Sequence, residues 1–131
     1  MRVVDLEGNE YNLKLTRRKI NDEFKSEGHK YARGLLKAIY PNDNLFEEIA
    51  IIPGLIVDFI IPLRRLIVEC QGRQHYEFSE FMHGDHIKFN AQKTRDNKKK
   101  KWAELNNFVL IELDDTKKDT WKDKILGAYD E

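Results

Sequence analysis

Four polar residues stand within or just beyond two strongly apolar runs, and their types suit a hydrolytic site. Asp58 interrupts Leu55-Ile56-Val57-Asp58-Phe59-Ile60-Ile61. Glu69 and Gln71 close Leu66-Ile67-Val68-Glu69-Cys70-Gln71, and His75 follows in Gly72-Arg73-Gln74-His75. Runs so rich in Ile and Val read as strands, and the short Pro62-Leu63-Arg64-Arg65 joint makes them antiparallel neighbours. A hairpin of that length brings Asp58 near Glu69 and Gln71.

A carboxylate inside an apolar strand is costly unless a cation, a metal or a strand end accounts for it. Side chains alternate along a strand, so Glu69 and Gln71 share a face and the Cys70 side chain points away. Asp58 and Glu69, with the backbone carbonyl of Cys70, form an all-oxygen ligand set suited to Mg²⁺ or Mn²⁺. Gln71 faces the same pocket. Hydrolysis also needs a proton carrier, and His75 is the imidazole at hand.

The order of these residues resembles the metal-dependent nuclease core written PD-(D/E)xK, in which an Asp on one strand precedes an acid, any residue and a Lys on the next. Glu69-Cys70-Gln71 departs from it at the Lys. Gly72 and His75 make the pattern more similar to the branch holding the very short patch repair endonucleases and the phage EDxHD homing endonucleases. That branch adds an upstream helical Glu, matched by Glu27, and a downstream Asp, matched by Asp96. The resemblance covers residues 26 to 113. It implies a restriction-endonuclease-like fold, Mg²⁺-dependent DNA cleavage, and an Asp96 that orients His75.

Helices and strands must then place these groups. Residues 1 to 15 read as an N-terminal β-hairpin turning at Glu7-Gly8-Asn9-Glu10, outside the core. Asn21 to Tyr40 has helical spacing, and Glu27, four residues before Tyr31 and eight before Leu35, is expected on its buried side. Leu45 to Ile52 reads as a strand turning at Pro53-Gly54. Tyr76 to His86 reads as a loop over the site, and 86 to 106 as a helix on which Phe89, Asp96 and Ala103 share an inward face. Phe108 to Leu113 is a further strand, and Thr120 to Tyr129 a closing helix capped by Thr120.

The chain of 131 residues suits one α/β domain with a central mixed sheet flanked by helices. Its 23 basic and 23 acidic residues leave no net charge, so any nucleic-acid contact must come from local patches. Arg73, Lys93, Arg95, Lys98 and Lys99 are the candidates for a phosphate backbone, with a solvated face as the plain alternative. The single cysteine excludes an internal disulfide framework. With neither a signal peptide nor a membrane span evident, the expected setting is the cytoplasm, for a phage-encoded protein that of its host.

Cys70 with His83 and His86 makes a poor zinc set, since no fourth ligand is evident. A histidine-based one-metal nuclease would leave Asp58 and Glu69 unexplained. Against the nuclease stand two alternatives: a catalytically silent nucleic-acid-binding or assembly module on the same fold, and a branched-DNA resolvase working as a dimer. Sequence preference would have to come from loops, the hairpin, a homodimer or a separate DNA-targeting partner.

Overall fold

The computed structural model describes residues 1–17, 22–71 and 86–129. A two-stranded sheet, β1 (Arg2–Val4) with β2 (Glu10–Asn12), precedes helix α1 (Glu27–Ile39). Strands β3 (Phe46–Ile52), β4 (Leu55–Ile61) and β5 (Leu66–Gln71) follow, then helix α2 (His86–Leu105), strand β6 (Val109–Asp114) and helix α3 (Trp121–Leu126). The main sheet runs β3-β4-β5-β6, antiparallel except for the parallel pair β5 and β6. A parallel pair needs a crossover, and α2 lies in that connection. The chain is therefore mixed α/β with a four-stranded mixed sheet and helices against it, as expected.

Apolar side chains cover both faces of the sheet. Ile49, Ile51, Val57, Ile60 and Ile67 pack with Trp102 and Ala103 of α2 and with Val3 and Leu13 of the N-terminal segment. Phe59, Ile61, Leu66, Val68, Ile111 and Leu113 pack with Ala32 and Leu36 of α1 and with Trp121 and Ile125 of α3. Burial on both sides explains why these strands read as nearly continuous apolar runs. Thr120 does not cap α3; its hydroxyl donates to Lys117 O at 2.7 Å.

One irregularity places the site. Val57 and Ile60 belong to one face of the sheet while Phe59 and Ile61 belong to the other. The two-residue alternation of β4 thus slips at Asp58. Opposite it on β3 stands Glu48, between the paired positions Glu47↔Phe59 and Ile49↔Val57, with a left-handed φ of 51°. A non-glycine residue there stores of order 1 kcal/mol.

The N-terminal hairpin is fastened to the end of α2. Asn106 Oδ1 accepts from Val4 N at 2.8 Å, and its Nδ2 donates to Val4 O at 2.9 Å and to Trp102 O at 3.0 Å. Trp102 Nε1 donates to the Tyr11 hydroxyl at 2.7 Å, and that hydroxyl donates to Ile51 O. Asn106→Ala should cost about 2 kcal/mol, since it removes three hydrogen bonds from a buried junction. Urea unfolding reads this directly, and an unchanged midpoint would contradict the clasp.

The outer edge of the sheet at β6 is blunted by side chains. Lys124 Nζ donates to Glu112 O, and Trp121 Nε1 donates to Asp114 O at 2.7 Å, which occupies two carbonyls that an added strand would need. Among the described residues no helix is long and apolar enough to cross a membrane.

Candidate active site

The site is a fork between β4 and β5. Their ladder runs through Ile61↔Leu66, Ile60↔Ile67 and Phe59↔Val68, while β5 stays paired to β6 as far as Gln71↔Asp114. At the next level side chains replace the backbone rung. Asp58 N donates to Glu69 Oε2 at 3.1 Å, and Cys70 N donates to Asp58 Oδ2 at 2.8 Å. Each acid thus fixes the strand that carries the other and keeps one oxygen, Asp58 Oδ1 and Glu69 Oε1, outside these two bonds.

Glu69 and Gln71 are each 3% exposed. They lie on the α2 side of β5, while Cys70 turns to α1, its Sγ 4.0 Å from Gly28 O. The expected alternation therefore holds. Lys99 of α2 reaches in, with Nζ 2.6 Å from Glu69 Oε1, outside hydrogen-bond angles but as an ion pair. Burial pushes the Glu69 carboxyl up to about 8, the charge of Asp58 adds to the rise, and Lys99 opposes it. The Cys70 thiol is pushed up by burial as well, so it stays a thiol.

Lys99 is the candidate whose surroundings differ most from its sequence grouping. Grouped with the surface lysines, it stands only 16% exposed at its side chain and pairs with Glu69. Its signal lay in helical phase: Phe89, Asp96, Lys99, Trp102 and Ala103 fall on the less exposed stripe of α2. Asp96 is on that stripe, as expected. Arg95 and Lys98 are exposed, and Lys93 Nζ sits 5.6 Å from the centre of the Phe89 ring. His75, Gly72 and Arg73 lie outside the described residues, and so does any His75–Asp96 pairing.

Glu27 does not face the site. Ser26 caps α1 by accepting from His29 N at 3.1 Å, which makes Glu27 the first helical residue, 83% exposed at its side chain and 2.8 Å from Lys30. The buried face of α1 runs through His29, Ala32 and Leu36, not through Glu27, Tyr31 and Leu35. Ser26 was the available signal, since a serine N-cap there puts Glu27 at the first helical position.

His29 is the α1 residue that meets the acids. Its ring is 5% exposed and lies 4.5 Å from the Phe59 ring, with Nδ1 4.0 Å from Asp58 Oδ1 and Nε2 3.7 Å from Glu47 Oε1. Burial holds its pKa below the ordinary histidine value against the pull of both acids. Glu47 is in turn held by Arg33, which also pairs with Asp22 at 2.8 Å. A cleft of about 350 Å³ lined by Arg17, Arg33, Lys37, Tyr40 and Glu47 lies beyond this network and reaches neither Asp58 nor Glu69.

The donors left at the fork are the two carboxylates and Gln71 Oε1, which is buried without a hydrogen-bond partner among the described residues. All are hard oxygens, and two neighbouring acids with one lysine, paired to Glu69, have room for more positive charge. A hard divalent cation fits that set. Among the described residues there is no group of three or more His, Cys, Asp and Glu side chains arranged to hold a metal. A site here would have to use backbone, amide or solvent oxygens as well.

Comparison with known proteins adds little. No family model matches the chain, and no solved structure does. An uncharacterized protein, 307L of Invertebrate iridescent virus 6, is 38% identical over 66 residues, half of this chain. The matched stretch covers 34% of that viral relative, so the chain spans about a third of its length.

Proposed function

We propose that the chain is a divalent-cation-dependent DNA endonuclease with its active site at the fork of β4 and β5. The observation that carries this reading is the side-chain rung at Asp58 and Glu69. An ordinary sheet would continue its backbone ladder there, whereas this one opens to hold two acids, one of them buried and raised to about 8. Perturbed acids at a distorted strand mark functional sites more often than structural ones. The mixed sheet with helices packed against it agrees with the restriction-endonuclease-like core that the sequence resembles.

In this reading Asp58, Glu69 and the Cys70 carbonyl hold Mg²⁺ or Mn²⁺. Bound there, the cation would polarise the phosphoryl oxygen and acidify a water. Lys99 supplies the positive charge that Gln71, standing where the nucleases it resembles carry Lys, does not. Gln71 then orients water or phosphate through its amide. His75, with Asp96 to orient it, remains the proposed proton carrier, and Lys93, Arg95 and Lys98 remain the proposed contacts to the nucleic-acid backbone.

Incubating the protein with supercoiled plasmid, mismatched duplex and branched DNA tests the proposal. Cleavage is expected in Mg²⁺ or Mn²⁺ and none in EDTA, because without a cation the carboxylates repel the phosphate and no water is activated to attack it. All three substrates intact in every divalent ion would favour the silent binding module.

A further inference from the structure

We infer that His29 is the positioning residue of Asp58, setting the orientation in which that carboxylate presents Oδ1 to a bound cation. The inference rests on the reading of Asp58 as a metal ligand. Its grounds are geometric. Among the described residues, the backbone hydrogen bond to the Asp58 carboxylate is made at Oδ2, by Cys70 N. Rotation about that bond would swing Oδ1, and on the α1 side the group that meets it is the His29 ring, with Nδ1 4.0 Å away.

The ring itself has little freedom. Its backbone N–H is tied to the Ser26 cap, its face lies on Phe59, and its residue is 5% exposed in the first turn of α1. It also separates two acids on neighbouring strands, since its far edge, Nε2, is 3.7 Å from Glu47 Oε1 and finds no hydrogen-bond partner among the described residues. Without the imidazole, Asp58 Oδ1 would face a cavity with Glu47 on its other side. The carboxylate would then lose its single orientation, and metal affinity would fall.

The near and far nitrogens make this separable from simple core filling. An Asn amide nitrogen falls close to the place of Nδ1, and a Gln amide nitrogen close to that of Nε2. Mn²⁺ binding to the full chain, measured by calorimetry at neutral pH, should weaken about 10–100-fold in His29→Gln and stay near wild type in His29→Asn. Asp58→Asn should abolish the same binding.

Equal affinities in the two His29 variants, with Asp58→Asn still losing the ion, would overturn the positioning role alone. Loss of the fold in both variants, read by circular dichroism, would make His29 a core residue and overturn it too. A wild-type chain that takes up no Mn²⁺, or an Asp58→Asn chain that binds it normally, would instead sink the metal-site reading beneath it.

Discussion

Asp58→Asn is expected to reduce Mg²⁺-dependent plasmid cleavage by about 10³-fold or more while leaving the fold intact. The amide oxygen of Asn still accepts from Cys70 N, so the side-chain rung survives while the charge is lost. Glu69→Gln should behave alike and carries a stability signature besides. The Glu69 carboxyl titrates near 8 in the fold against an ordinary 4.5, so between those values the folded chain holds a proton that the unfolded chain has released. Its penalty is absent below the lower value and complete above the upper one, so wild-type stability falls as pH rises through the window. Gln removes the penalty. The melting temperature of Glu69→Gln should therefore exceed that of wild type by a margin that grows from pH 5 to pH 8.5 without divalent ions. A pH-independent margin, or cleavage at the normal rate, would show that Glu69 is not under strain for a function.

Lys99→Gln should lower cleavage about 10²-fold, the usual effect of removing one aimed charge from a water-poor site. Adding Gln71→Lys to that variant should restore much of the loss. Gln71 lies on the same face of β5 as Glu69 and is equally buried, so a lysine there delivers its ammonium to the same acids from the strand instead of from α2. A general weakening of the fold would not be rescued this way, because a second lysine in the wrong place adds a desolvation cost. Normal cleavage in Lys99→Gln, or a double variant no better than the single one, would remove Lys99 from the chemistry.

The parts of this site legible in the sequence are those set by local periodicity. Two apolar runs with a short joint give an antiparallel pair, and strand alternation puts Glu69 and Gln71 on one face with Cys70 on the other. The errors arise where longer-range packing decides. Glu27, Tyr31 and Leu35 and the set His29, Ala32 and Leu36 are both acceptable helical faces, and the packing of Ala32 and Leu36 against the sheet and α3 chooses between them. Lys99 sits in a run of four lysines whose members look alike as sequence, and which of them turns inward depends on how Trp102 and Ala103 seat α2 on the sheet. The slip of β4 at Asp58 and the left-handed Glu48 opposite it have no glycine or proline at their centre to announce them.

Crystals of the protein soaked in Mn²⁺ offer the most direct measurement. Anomalous scattering should show an ion about 2 Å from a carboxylate oxygen of both Asp58 and Glu69, with Lys99 drawn off Glu69 Oε1. An ion elsewhere, or none, with the Lys99–Glu69 pair intact, would contradict the fork as a metal-dependent active site.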